Sequence, residues 1–305
     1  MALVLAENSC LNGKTAVMTK KDHLHRFTLD NAAVRGEVVQ LTSSYETVLQ
    51  KHVYPEPLQQ LIGEFMAAAA LLSATLKFNG ILTLQAKGDG PVSMLVAECR
   101  NQSTLRAIAS YEDFPDTDTP LLGEGQLAIT IEPDNGQSYQ GIVALDGHTL
   151  SSTLEQYFVQ SEQLPTSIWL ATGSNPPRAA GLFVQALPES AHEPQLMSDS
   201  EDWSRIVTLS ETVTTEELLD IEPETLLYRL YHEESVRLYP PSDLAFGCNC
   251  SRERSANSLL SIGRTETEAA LAESGGEIKV DCHFCRARYI FTERDVSELF
   301  DSQVH

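Results

Sequence analysis

Apolar residues recur along this chain at two spacings. After Pro55, residues Leu58, Leu61, Ile62, Phe65, Met66, Ala69, Leu72 and Leu76 follow at three- and four-residue steps, which places them on one stripe of an α-helix. The spacing predicts a central core helix, and the alanines at 67–70 let another backbone come close to it. Later stretches carry strand-like apolar runs bounded by turn residues. Residues 32–41, 81–86, 92–99, 127–131, 139–145, 167–172 and 181–187 are read as strands, and 44–51 and 153–161 as short helices. Gly88-Asp89-Gly90-Pro91 reads as a turn, and Asp134-Asn135-Gly136-Gln137 as a hairpin loop with an Asn-Gly signal. The pattern predicts an α+β domain, a mixed sheet with a central helix, over residues 23–195.

Past residue 195 the character changes. Residues 196–247 hold twelve acidic side chains against Arg205, Arg229 and Arg237. Thr214-Thr215-Glu216-Glu217 has the form of a capping box, and Pro223 opens a helix carrying Leu226, Leu227, Leu230 and Tyr231 on one stripe. Helices this short hold their shape mainly by docking an apolar face on something else. The segment is read as an acidic helical linker, either passive or poised between docked and undocked states.

Residues 248–305 hold four of the six cysteines. Cys248-Asn249-Cys250 is answered by Cys282-His283-Phe284-Cys285, and two close thiolate pairs are what a tetrahedral ion wants, with ligands at about 2.3 Å. Strand-like flanks around Cys282 predict a zinc-ribbon-like knuckle, whereas a redox C-x-x-C opens a helix. A four-cysteine zinc site leads over a standing disulfide pair or unrelated buried cysteines. Between the two pairs a loop containing residues 266–273 is expected. A closing helix capped at Thr292 turns Val296, Leu299 and Phe300 inward. So small a core needs its metal to fold. Arg252, Arg254, Arg286 and Arg288 lie near the cysteines in sequence, either as ordinary solvated charges or as cations that keep the sulfurs nucleophilic. Cys99 is read as a small buried hydrophobe on its strand, and His283 as a solvent-facing knuckle residue.

At 305 residues the chain has room for two domains, and its formal charge of −22 argues against nucleic acid as a partner. Residues 1–22 form an extension with no periodic pattern and no basic n-region before an apolar run, so neither a secretory signal nor a role for Cys10 is expected. Residues 65–76, the most apolar stretch, are too few to span a bilayer. The expected location is the cytoplasm, where thiols stay reduced.

The motifs VRGE (34–37), LLSATLKFNG (71–80), GDGP (88–91), YQGIV (139–143), YFVQSEQLPT (157–166), RLYHEE (229–234), CNCSRER (248–254) and CHFC (282–285) together resemble the heat shock protein 33 family, redox-regulated bacterial holdase chaperones. The resemblance covers residues 23–305. It implies that Cys248, Cys250, Cys282 and Cys285 hold one zinc ion in a reduced, inactive state. It further implies that oxidation pairs Cys248 with Cys250 and Cys282 with Cys285, releases the metal and unfolds the linker. The oxidised protein then dimerises and holds unfolding client proteins without ATP during oxidative stress. Leu226, Leu227, Leu230 and Tyr231, with the face beneath them, are the expected client surface. The 1–22 extension departs from the family, and Ser255 stands where some relatives carry a further cysteine. A zinc-ribbon nucleic-acid binder and a thiol-disulfide oxidoreductase are the competing readings; charge opposes the first and the flanks of Cys282 the second. No catalytic residue is assigned.

Overall fold

A computed structural model describes residues 22–112, 120–146, 148–187 and 200–301. The extension with Cys10 and the boundary expected at 195 and 196 lie outside these residues. Asp22, expected in the extension, opens strand β1 (Asp22–Leu29), which pairs antiparallel with β2 (Val34–Leu41). The Asp22 carboxylate is buried and accepts the amides of Thr42, Ser43 and Ser44 at 2.6, 2.9 and 2.7 Å. These are orphan donors at the start of helix α1 (Ser43–Leu49), whose own N-cap side chain makes no capping bond.

Helix α2 (Glu56–Ala74) is the helix the periodicity predicts. Pro57 sits in its first turn, where a missing amide costs nothing. Ile62, Phe65, Met66 and all four alanines at 67–70 are fully buried. Next come β3 (Gly80–Gly88), β4 (Val92–Arg100), β5 (Thr104–Tyr111), β6 (Glu124–Pro133) and β7 (Tyr139–Asp146). Helix α3 (Leu150–Tyr157) starts earlier than its apolar pattern suggests because Thr149 caps it, and it runs on into a single π-helical turn, Phe158–Glu162. Strands β8 (Thr166–Ser174) and β9 (Pro177–Ala186) form where expected, whereas β1 and β5 are strands that the sequence reading does not contain. The turn at Gly88-Asp89-Gly90-Pro91 and the hairpin loop at Asn135-Gly136 form where expected.

The acidic segment contains α4 (Glu201–Ser210), α5 (Thr215–Asp220) and α6 (Pro223–Tyr231). The capping box at Thr214 and Glu217 is formed, and Pro223 opens α6. The chain then returns to the sheet as β10 (Val236–Leu238) and β11 (Ser242–Phe246), which no apolar period announces. After the first cysteine pair come α7 (Arg252–Ile262) and α8 (Arg264–Glu273). The loop expected around residues 266–273 is therefore helical: Ser251 caps α7, and Leu259, Thr267 and Leu271 are buried at helical spacing. Strands β12 (Glu277–Asp281) and β13 (Arg288–Thr292) form the predicted hairpin, closed by α9 (Glu293–Asp301).

Among the described residues the large sheet runs β7-β6-β3-β4-β5-β11-β1-β2-β9-β8, with β10 also beside β1. One face of this sheet packs on α2, which touches β1, β2, β3, β4, β5, β8 and β9. A Cβ on Gly181 would meet Leu71 Cδ1 at 2.6 Å, so glycine there lets α2 lie close to β9. Over β1, β2, β8 and β9 the second face is covered by α4–α6. Successive residues are therefore buried on opposite sides, Val39 toward α2 and Val38 toward the acidic helices. On β7, where no helix covers the outer face, burial alternates residue by residue.

Candidate metal centre

Two segments distant in sequence build the centre. As β11 ends, the Gly247 amide donates to the Leu105 carbonyl at 3.0 Å. Cys248-Asn249-Cys250 follow directly, and the Ser251 side chain accepts the Arg254 amide at 3.1 Å to start α7. The first pair is thus held between a strand end and a capped helix. Cys282 and Cys285 lie in the turn between β12 and β13. There the Cys282 amide donates to the Ala287 carbonyl and the Arg286 amide to the Cys282 carbonyl, both at 2.8 Å. Arg286 adopts a left-handed φ of 64°, which reverses the chain within the knuckle.

The four Sγ atoms all lie within 4.8 Å of one another. Cys248–Cys282 (3.6 Å) and Cys250–Cys285 (3.3 Å) are short cross-motif separations. Four ligands at about 2.3 Å from a tetrahedral ion sit roughly 3.8 Å apart, so these sulfurs need little adjustment to close on one ion. The donor set fits a soft or borderline metal. No helix opens at Cys282, which removes the geometry a thioredoxin-type C-x-x-C uses.

The cation that reaches the sulfurs comes from the large sheet. Arg106, on β5, donates from Nη1 to Cys248 Sγ at 3.4 Å and from Nε to Glu98 at 2.7 Å, and its guanidinium stacks 4.0 Å over the Phe284 ring. Two of the arginines near the cysteines in sequence turn elsewhere. Arg252 bonds the Ile290 carbonyl and Asp295, and Arg288 pairs with Asp281. The Tyr289 hydroxyl donates to Cys250 Sγ at 3.2 Å. Burial opposes ionisation of Cys248, but the Cys250 amide, Arg106 and the neighbouring thiols outweigh it and bring that thiol down to about 7. Burial raises Cys282 and, with the adjacent sulfurs, pushes Cys285 up to about 12. Arg106 was not legible as part of the centre, because nothing local in sequence ties β5 to Cys248, and Tyr289, although close to Cys285 in the chain, read only as a strand residue. His283 is exposed, and its carbonyl lies 2.7 Å from His52 Nε2. Leu226, Leu227, Leu230 and Tyr231 stand outside the centre, buried with Phe27, Val38, Leu182 and Val184.

A family model described as Hsp33 protein matches residues 22–292. The chain belongs to the Hsp33 family. The 33 kDa chaperonin of Ectopseudomonas mendocina (strain ymp) is 50% identical over 283 residues, covering 92% of this chain and 95% of that protein. Its counterpart in Pseudomonas aeruginosa (strain LESB58) is 48% identical over 288 residues, covering 93% and 96%. The crystal structure of the 33 kDa chaperonin (heat shock protein 33 homolog) of Thermotoga maritima superimposes with a TM-score of 0.76 over 92% of this chain and 99% of that one. At 23% identity it speaks to the fold, which is the α+β architecture expected. Hsp33 is a chaperone family, so the resemblance carried by the sequence motifs holds. Among the described residues no helix is long and apolar enough to cross a membrane.

Proposed function

We propose that this chain is a redox-regulated, ATP-independent holdase whose resting form binds one zinc ion through Cys248, Cys250, Cys282 and Cys285. The observation that carries the reading is four sulfurs within 4.8 Å at the end of a strand that belongs to the large sheet. Zinc supplies folding free energy there and keeps the thiols ionised. In the oxidised form Cys248 bonds Cys250 and Cys282 bonds Cys285. Each disulfide forms from two thiols as two electrons and two protons pass to peroxide, which leaves as two waters. Near-neighbour pairing disconnects the two motifs, whereas crosslinks along the short cross-motif separations would staple them together. That difference favours the near-neighbour pairs for a switch that has to unfold.

With the sulfurs spent, the small domain at 248–301 loses its staple and the acidic segment loses the neighbour it runs into. Undocking α4–α6 uncovers Leu226, Leu227, Leu230 and Tyr231 and the sheet face beneath, which receive unfolding client proteins. The oxidised protein pairs with a second copy, and neither nucleic acid nor membrane takes part. The working compartment is the cytoplasm, where the resting thiols stay reduced.

The test measures metal content, free thiols and aggregation of an unrelated thermolabile enzyme in the same samples, before and after peroxide at elevated temperature. About one zinc per chain is expected at first, then its loss together with four thiols and suppression of aggregation. Mass mapping of the oxidised form checks the pairing. Zinc retained through oxidation, with aggregation unchanged, would sink the reading.

A further inference from the structure

β11 is one strand deep in its sheet and joins its two halves. It pairs antiparallel with β1, from Asp22↔Leu244 to Leu24↔Ser242, and parallel with β5, at Ala245↔Thr104 and Phe246↔Leu105. No other pairing among the described residues joins the β7-β6-β3-β4-β5 half to the β1-β2-β9-β8 half. The hold is short: the Ala245 amide donates to the Ser103 carbonyl at 2.9 Å and the Gly247 amide to the Leu105 carbonyl at 3.0 Å. Cys248 comes next, so whatever frees the cysteine motif pulls on this strand's end.

Strands in a sheet lie about 4.8 Å apart, so removing β11 leaves roughly 10 Å between β1 and β5, the width of one strand with hydrogen-bonding partners on both sides. Both half-sheets rest on α2, which packs against β5 and, less extensively, against β1. That shared support keeps the gap from closing. Its chemistry is legible in the strand now seated there. Leu244 is buried in the main core and Phe246 packs against that core, while Asp243 and Ala245 are exposed. At the exit a Cβ on Gly247 would meet Thr104 Cβ at 2.9 Å, so the slot narrows to bare backbone.

We propose that β11 is a removable strand, and that the slot it leaves between β1 and β5 binds an extended, alternately apolar segment of an unfolding client by strand addition. This rests on the redox reading above and adds a recognition mode to it: main-chain hydrogen bonds give sequence-tolerant grip, and two inward pockets select apolar residues at alternate positions. Segments of that pattern are the buried strands of other proteins, exposed when those proteins unfold.

The test uses the full chain, reduced and peroxide-oxidised, with the labelled peptide Ser-Asp-Leu-Ala-Phe-Gly and the same peptide N-methylated at Ala and Gly. The oxidised protein should bind the plain peptide at least tenfold more tightly than the methylated one, and the reduced protein should bind neither. Amide exchange at Asp22–Leu24 and Thr104–Leu105 should accelerate on oxidation and slow again when the plain peptide is added. Equal affinity for the two peptides overturns the proposal by assigning binding to side chains alone. So does exchange protection that persists in an active oxidised dimer, because the slot is then filled by its own or the second copy's β11. Leu244→Asp, which expels β11 by placing a carboxylate in the core, should bind the plain peptide without oxidation, with slow exchange in β3 and β4 as the check that the variant is folded. If oxidation leaves thiols free or aggregation unsuppressed, the redox reading fails. The slot then stands or falls on the peptide pair with Leu244→Asp, and with Phe246→Asp should the first variant fail to fold.

Discussion

Glu37 lies on β2 with its side chain buried and Oε2 without a hydrogen-bond partner. Burial pushes its carboxyl up from the usual 4.5 to about 7, against the pull of Arg35 and Arg26. Between those two values the folded state holds a proton that the unfolded state has lost, so stability falls as pH rises through that window and levels off above it. Glu37→Gln should match the parent near pH 4.5 and exceed it by about 3 kcal/mol at pH 8, read from urea melts across pH; parallel curves would contradict this. Arg106 shows the complementary case, a paired charge. Its side chain and that of Glu98 are 13% and 15% exposed, so Arg106→Met strands a carboxylate and should cost about 3 kcal/mol. Adding Glu98→Gln should recover most of that, whereas a purely structural loss of the Phe284 stacking contact would not be recovered. Cys99, fully buried and hydrogen-bonded by Ser73, has its thiol raised to about 11 by burial. It is the inert hydrophobe its strand position predicts.

At the scale of elements, α4, α5 and α6 are each too short to persist alone and depend on what they touch. Ser210 Oγ and the Tyr231 hydroxyl, both buried, meet at 2.6 Å and join α4 to α6. Gln40 Nε2 donates to the carbonyls of Leu218 and Ile221 at 2.9 and 2.8 Å, fastening α5 to β2. Leu226 is fully buried in the same interface. Leu226→Ala should destabilise it by about 3 kcal/mol, visible as faster amide exchange across residues 201–231 with α2 unchanged; uniform acceleration would mean that these helices unfold only with the whole domain. The capping box at Thr214 and the Pro223 start were legible because caps are local chemistry. β1, β5, β10 and β11 were not. Ser242–Phe246 is only five residues long and follows two prolines, and its partner in β5 lies far away in the chain. Helices α7 and α8 were missed for a related reason: their inward stripe is thin, little more than Ala256, Leu259 and Leu271.

For the molecule as a whole, the main core under the large sheet and the small core at 248–301 differ greatly in size. Leu259, Leu271, Phe291 and Val296 are the buried hydrophobic residues of the latter, too few to offset the chain entropy of its helices and hairpin. Contacts to the large domain add a little, through Arg106 on Phe284 and His52, between α1 and α2, at the His283 carbonyl. Removing metal with a strong chelator under reducing conditions should therefore unfold residues 248–301 and leave α2 and the β3–β4 hairpin protected. Exchange mass spectrometry reads both regions at once, and a chelated protein that keeps protection in α7–α9 would show that the small core stands without metal.

The sequence by itself determined the two close cysteine pairs, the central helix, the strand pairs joined by short turns, the capped helices of the acidic segment and, through its motifs, the family. Each depends on covalent spacing or on periodicity within a few turns, and short-range patterns survive in one dimension. Only the tertiary structure decided that Arg106 faces Cys248, that α4–α6 cover the second face of the sheet, and that the strand leading into the cysteines is the one joining its halves. Those outcomes depend on which distant segments share a surface, a sum of many weak contacts to which no single stretch of the chain bears witness.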